Sequence, residues 1–589
     1  MVPDVPAIHR RFDYLVPEKM SGDIRVGSRV RVKLQGRRVA AWVAEVDVVP
    51  PEGVVPQPIA ASSGLGPPAS VVSLAEWAAW RWAGPVSSFL GTASPERNVR
   101  TLPVVGTGSA GSAGSAGGRG APATGTGESD TIIAQALEAG GAVVRLAPAL
   151  DAVLLVEAFI RRRDRVLVLA PSHQRVEQIA ARLRRSGIPV AVLPDGWAAA
   201  AAGAPVVLGT RIAAWAPIDR LGGALVIDAH DEAYREERAP TWSAVDVLIE
   251  RTRRDGAPCA LVTPCPTVTL LEGRALVNTS RGVERRGWPP IEIVDRRGDD
   301  PRTGLFSERL SQLLHSVLPD GRAVCILNRT GRARLLACAS CGSLASCTRC
   351  AGAMEQQDPG GVLRCRRCGV ERPVVCAVCD STRMKLLRMG VSRAREELSA
   401  LMGMEAVEIT TTSPPGVGSP DSGDHLVVGT EAALHRVGRA NVVAFLDFDQ
   451  HLLASRFAAG EEALALLARA ARVVGGRDGG GRVLVQTRLP DHEALAAAVH
   501  ADPSRLTDGE RELRAGLGLP PFAALATVGG QAADEMVTGL REIGGLSLSS
   551  LGDEKWLVKA ADHHMLCDGL ASVLRPTGRL RVEVDPTDV

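Results

Sequence analysis

The sequence predicts an α/β protein with two parallel-sheet lobes in the middle of the chain, a metal-binding insertion in the second lobe, and small α+β domains at both ends. Three observations predict it. Apolar runs such as RVLVLAP, PVVLGT and ALVIDA alternate with helical stretches such as QRVEQIAARLRRSG, the pattern of buried parallel strands with crossover helices. Eight cysteines fall in four CxxC pairs within 42 residues. A Gly/Ser/Ala tract over residues 106–127 has almost nothing to bury and reads as a flexible tether.

The elements follow in chain order. Residues 1–104 carry RVRVKL and AAWVAEVDVV, which alternate as strands should, and VVSLAEWAAWRWAG, which has helical periodicity, so this stretch reads as a separable α+β module. The linker occupies 105–130. The first lobe spans 131–285, with PVAVLP and CALVTP among its strands. The second begins over 286–336, with the strand AVCILN, is interrupted by the cysteine block over 337–381, and resumes over 382–500 with HLVVGT, VVAFLDFD and RVLVQT. Residues 501–589, from GLGLPPFAALATV to LRVEVDP, form the last α+β unit.

With 589 residues, 45% of them hydrophobic and 23% charged, the chain is long enough for three or four domains with real cores. No uncharged apolar run approaches bilayer-spanning length, and the N-terminus does not resemble a secretory signal, so a cytoplasmic protein without membrane partners is expected. The net charge is only +2, but its distribution is uneven. Residues 1–40 hold nine Lys/Arg against four Asp/Glu, and residues 331–395 hold twelve against four. Two basic patches are what binding to a phosphate backbone requires.

A CxxC pair lets two thiolates from one tight turn take adjacent corners of a tetrahedron, so four pairs make two zinc sites. Four disulfides would require an oxidising compartment. Spacing fixes each pair, Cys338/Cys341, Cys347/Cys350, Cys365/Cys368 and Cys376/Cys379, but not its partner. The loop carrying Pro359, Gly360 and Gly361 suits a ribbon whose two knuckles are the inner pairs, which leaves the outer pairs together. The other cysteines, Cys259, Cys265, Cys325 and Cys567, are scattered.

Taken in order, VVLGTR, VIDAHD, LVTPCP, ILNRTG, VVGTEAAL and FLDFD resemble the motifs of the two RecA-like lobes of a superfamily 2 helicase. The cysteine block between NRTG and VVGTEAAL, the N-terminal RFDYLVPE and VGSRVRV, and the C-terminal GLPPFAAL followed by VDP resemble the PriA family of replication-restart helicases over nearly the whole chain. The resemblance implies one zinc on Cys338, Cys341, Cys376 and Cys379 and a second on Cys347, Cys350, Cys365 and Cys368. It also implies that the N-terminal module grips the 3′ end of a nascent strand through Phe12, Asp13 and Tyr14, with Arg29 and Arg31 on the adjoining basic strand. A carboxylate can accept a hydrogen bond from a 3′-hydroxyl, and an aromatic ring can stack on a base. From the residues alone, the favoured reading is that Phe12 and Tyr14 are strand residues facing a core, with Asp13 on the solvent face.

The family's cofactors include ATP and Mg2+, yet the parts that would hold them are degraded. Where a P-loop is due, the chain reads VVRLAPALDAVLLVEAF from Val143 to Phe159, without glycine or lysine. Asp228-Ala229-His230-Asp231 stands where an acidic DEEH motif is due, leaving Asp228 able to hold a magnesium ion but no adjacent glutamate to polarise water. In RVVGGRDGGGR, Arg477 is the candidate for the transition-state arginine. Gly429 and Thr430 keep the start of the next motif, while ALHRVGRAN replaces its usual core. The expected function is therefore recognition of stalled, forked or branched DNA and recruitment of other primosome proteins, helicase loaders and single-stranded DNA-binding protein, without ATPase or helicase activity. The alternatives are an active 3′–5′ helicase with an atypical nucleotide site around Gly475, Gly476 and Arg477, and a zinc-ribbon adaptor that binds only protein.

Overall fold

The computed structural model describes all residues except 6, 7, 9, 51, 54, 104–125, 300–303, 319, 328–335, 351, 357–360, 366, 367, 387–390, 415, 420, 421, 553 and 589. Most of the expected tether and the NRTG segment lie outside the described residues. The helix Thr126–Glu138 begins inside the stretch read as linker, because Ile132, Ile133 and Ala136 give it an apolar face that packs on the first lobe.

Lobe 1 is a seven-stranded sheet in the order Ala275–Asn278, Gly141–Arg145, Cys259–Thr263, Gly223–Ile227, Val166–Leu169, Val206–Gly209, Val190–Val192. All its neighbours run parallel. Its central strands are buried on both faces, which is why they read as unbroken apolar runs rather than alternating ones. Lobe 2 is a six-stranded parallel sheet in the order Ile291–Asp295, Arg482–Thr487, Val442–Phe445, Ala323–Ile326, Leu426–Gly429, Val407–Ile409. These are the two RecA-like lobes expected from the sequence.

At the N-terminus, Arg37–Trp42 and Arg29–Leu34 form an antiparallel hairpin flanked by Val2–Pro3 and Ala61–Gly64. The AAWVAEVDVV pattern does not continue as a strand past Trp42, since its partner strand ends at Arg29, opposite Trp42. The C-terminal unit is an antiparallel sheet in the order Ser547–Gly552, Lys555–Ala560, Ala524–Gly529, Arg581–Val584, with two helices packed against it.

The N-terminal block is not the separable module its sequence suggested. The helix Ala69–Arg81 buries Val71, Val72, Leu74, Ala75 and Ala78 in one core shared with lobe 1 and the C-terminal sheet. An aromatic chain runs out of it: Trp82 to Phe89 at 6.3 Å, Phe89 to Trp215 at 5.6 Å, and Trp215 to Trp242 at 5.6 Å. Buried Arg81 then pairs with Asp585 at 2.6 Å, and His563 meets the other oxygen of that carboxylate at 2.7 Å. A helix apolar on several sides needs more than one neighbour, and this one touches three domains.

Candidate nucleic-acid interface, metal centres and nucleotide cleft

Two groups of four cysteines come together, Cys338, Cys341, Cys376 and Cys379 in one and Cys347, Cys350, Cys365 and Cys368 in the other, with the sulfur atoms of each group within 4.8 Å of one another. Sulfur pairs lie 3.5 Å apart at Cys338/Cys379, Cys347/Cys368 and Cys350/Cys365, and 3.6 Å at Cys341/Cys376. A disulfide needs about 2.05 Å, so these are thiols. Four thiolates about 2.3 Å from a tetrahedral ion would sit about 3.8 Å apart, so the donor set and spacing fit a metal such as zinc.

Local backbone builds each turn. Ser340, Arg349 and Val378 each donate a backbone N–H to the sulfur two residues earlier, at 3.4 Å. Gly342, Gly369 and Asp380 follow their second cysteines with φ of 75°, 75° and 56°. Each returns its N–H to the carbonyl of the first cysteine of its own pair, Gly342 to Cys338, Gly369 to Cys365 and Asp380 to Cys376. That left-handed step folds the chain back around the sulfurs. The knob docks on lobe 2 where the Ala353 N–H meets the Leu453 carbonyl at 3.1 Å.

On the N-terminal hairpin, Val30 and Val32 are buried while Arg31 and Lys33 point to solvent from the opposite face. The two-residue turn at Gln35 and Gly36, with φ of 47° and 78°, sets the register that places Arg38 across from Lys33. Arg31, Lys33 and Arg38 therefore make one exposed basic face. Lys33 and Arg38 join this face beyond the Arg29 and Arg31 expected from the sequence, and the alternation of RVRVKL with the turn after it is the signal that points to them. Arg29 is half-buried and donates to the Pro95 carbonyl at 3.0 Å, so it fastens the strand rather than facing solvent freely.

The other three residues lie beside this sheet. The Phe12 backbone exchanges hydrogen bonds with Met1 at 3.0 and 3.1 Å, and the Arg10 guanidinium lies 4.9 Å from its ring centroid. The Tyr14 hydroxyl donates to the Lys33 carbonyl at 2.8 Å, tying it to the basic strand. Asp13 is half-buried close to the N-terminal ammonium, whose acidity burial increases and Asp13 opposes.

Between the lobes, the helix Ala152–Ile160 begins where a phosphate cradle is due. Its N-cap, Asp151, accepts the Val153 N–H at 3.0 Å and also pairs with Arg182. Asp228, with φ of 53° and a buried side chain, has both oxygens gripped by Arg472 at 2.6 and 2.9 Å. Burial pushes the Asp228 carboxyl up, but Arg472, with help from His230, more than offsets this and holds it below the ordinary carboxylate range. Arg472 also donates to the Pro148 carbonyl at 3.3 Å. Asp231 pairs with Arg469 at 2.9 Å, and His230 shares a hydrogen bond with the Thr263 hydroxyl at 2.8 Å. Arg477, the arginine proposed from sequence, sits exposed in the turn Arg477–Gly479, and Arg472 five residues earlier is the one in the cleft. These residues do not fit a magnesium nucleotide, since the oxygens that would bind the ion already hold a guanidinium.

Fold and sites together define a DNA-binding, two-lobed, helicase-like protein with a cysteine-rich insertion. Residues 2–95 match the 3′ DNA-binding domain (3′BD) family model. Along nearly its whole length the chain is 30% identical to the probable replication restart protein PriA of Mycobacterium leprae, covering 89% of this chain and 86% of that protein. It is 29% identical to the Mycobacterium tuberculosis protein of the same name over 91% and 87%. With the Bacillus subtilis replication restart protein PriA, it is 26% identical over 63% of this chain and half of that one. The chain belongs to the PriA family of replication restart proteins.

Proposed function

We propose that the chain recognises stalled or branched replication forks and recruits the proteins that reload the replicative helicase, without hydrolysing ATP. The exposed basic face of Arg31, Lys33 and Arg38 and the basic cysteine knob hold DNA through its phosphates, with Phe12, Asp13 and Tyr14 meeting the 3′ end. Each four-cysteine group binds one zinc ion, which keeps the knob folded. The observation that carries the absence of hydrolysis is the segment from Val143 to Phe159. It forms the strand, turn and helix of a phosphate-binding unit, but offers neither a bare glycine backbone nor a lysine, and its helix is capped by the chain's own carboxylate. A nucleotide cradle at Gly475 and Gly476 is disfavoured by crowding, since a Cβ at Gly476 would lie 2.5 Å from the Arg286 carbonyl oxygen.

The test is phosphate release by the full-length zinc-loaded protein, with and without a forked DNA that it binds at physiological salt. Fork binding that outcompetes plain duplex, with no turnover, is the expected result. DNA-stimulated turnover overturns the reading, and equal affinity for fork and duplex removes fork recognition. Changing Arg31 and Lys33 to Glu should weaken binding at least tenfold and flatten the salt dependence by roughly one unit of slope per lost phosphate contact. A purely protein-binding adaptor would show neither effect. Arg29→Glu is a poorer probe, because Arg29 also holds the strand to Pro95.

A further inference from the structure

The nucleotide cleft departs from a working one in two complementary ways. A bound magnesium nucleotide would bring negative charge to the N-terminus of the helix after the first strand of lobe 1, and positive charge to the carboxylate that follows the strand Gly223–Ile227. Here the Asp151 carboxylate already sits at that helix N-terminus, 3.0 Å from the Val153 N–H. The Arg472 guanidinium already sits on Asp228, with both oxygens engaged. We propose that the chain fills its own nucleotide cleft, Asp151 in place of phosphate and Arg472 in place of the metal, and that Arg472, reaching across from lobe 2, holds the two lobes permanently closed.

One helix, Ala459–Val474, carries the lobe 2 side of this closure. Arg469 and Arg472, three residues apart, lie on one face and reach Asp231 and Asp228 of lobe 1. About two turns back from Arg469, Glu461 accepts the Val268 N–H of lobe 1 at 2.7 Å while also pairing with buried Arg514 at 2.5 Å. Arg514 lies on the helix Ser504–Leu517, whose Thr507 hydroxyl donates to the Pro266 carbonyl of lobe 1 at 3.0 Å. At the far end of the first helix, Gly476 lets the backbone approach the carbonyl of Arg286, where the chain crosses from lobe 1 to lobe 2, so closely that any side chain there would clash. The interface is joined at both ends and in the middle by groups of this chain alone. A motor opens and closes such a cleft with each nucleotide it turns over, whereas a cleft that supplies its own charges has nothing to release.

The Val268 N–H reports this closure directly, because its acceptor Glu461 belongs to the other lobe and exchange with solvent requires the lobes to part. Amide hydrogen exchange on the full-length zinc-loaded protein should show the peptide spanning Val268 protected to the same extent alone, with a magnesium ATP analogue, and with fork DNA. Changing Arg469 and Arg472 to Met should speed exchange there at least tenfold, while the interior lobe 1 strand Val166–Leu169 stays unchanged. If that variant fails to fold, Asp228→Asn with Asp231→Asn removes the same bridges from the other side and should give the same result. Val268 exchanging as fast in the wild type as in the variants overturns the proposal, as does wild-type protection that appears only on adding fork DNA. The inference rests on the reading of the cleft as one that does not turn over ATP, and the two fail separately. DNA-stimulated phosphate release would overturn that reading, while a Val268 that stays protected without any ligand would leave the closure standing.

Discussion

The cysteine knob and the interlobe cleft are both arranged around a charge imbalance, and they settle it in opposite ways. The knob collects eight thiol groups in two sets of four, a donor set that calls for an ion from outside to bring the sulfurs together. The cleft holds buried Asp228 and half-buried Asp231, and meets each with an arginine from the facing lobe. One site keeps the chemistry of its ligand and depends on it. The other has replaced that ligand with its own side chains. What separates them is the donor set, since soft thiolates have no protein cation that can take a tetrahedral ion's place, while a carboxylate accepts a guanidinium readily.

The largest consequence concerns metal. Structural zinc supplies about 10–16 kcal/mol of apparent binding energy in small zinc domains, and that energy is folding energy. Chelation under reducing conditions should therefore melt the segment 336–386 while both parallel sheets stay protected, as read by hydrogen exchange. Replacing the fully buried Cys365 with Ser should reduce two bound ions per chain to one in metal analysis. Loss of both ions would mean that the knob folds as a single cooperative unit. Unfolding of the lobes on chelation would erase the contrast between the two regions.

The cleft should respond on a smaller scale and unevenly. Asp228 has 7% of its side chain exposed and Arg472 44%, so removing the arginine strands a buried charge while removing the carboxylate's charge does not. Arg472→Met should cost about 2–3 kcal/mol, below the roughly 3–5 expected of a fully buried pair because solvent screens the arginine. Asp228→Asn should cost about 1 kcal/mol. Denaturant midpoints at neutral pH give both. Because the native Asp228 carboxyl is held below its ordinary value, this support is fully present above about pH 5 and is lost as the pH falls through 4 and below. Equal costs for the two variants would mean that Asp228 is not buried as described.

These differences explain what could be read in advance. CxxC turns and buried parallel strands are local patterns, legible because a few consecutive residues settle them. The cross-lobe pairs are not local: Asp228 and Arg472 lie 244 residues apart, and nothing near either names the other. The three-residue spacing of Arg469 and Arg472 puts them on one helix face but says nothing of what that face meets. The integration of the N-terminal block was more accessible. VVSLAEWAAWRWAG is apolar on more than one side, which a free-standing module could not bury, and that cue was outweighed by the tether that follows it. The basic hairpin was legible as a face, while the structural duty of Arg29 depended on Pro95 arriving from 66 residues away.

The smallest effect lies at the rim of the cleft, where the substitution of protein groups for ligand is least complete. A cavity of about 250 Å3 there is lined by Glu232, Glu431, Glu461 and Glu462, with His230, His451 and the arginines Arg235, Arg456 and Arg469 around them. Burial raises the Glu462 carboxyl, Arg456 opposes this, and the neighbouring Glu232, Glu461 and Glu431 add to it, bringing it to about 7 from an ordinary 4.5. The folded protein thus keeps a proton that the unfolded chain releases between those values, so stability must fall as pH rises from about 4.5 to 7. Glu462→Gln should remove that slope and raise stability at pH 8 by about 1 kcal/mol, after discounting for the third of the side chain left exposed and for its lost pairing with Arg456. Other groups titrate in the same range, including Asp449 at about 6 and the raised Glu431, so the difference between variant and wild type carries the result. An unchanged slope would place the surplus proton on another carboxylate. A flattened one would show that the cleft, though closed by its own arginines, still carries more negative charge at its rim than those arginines balance.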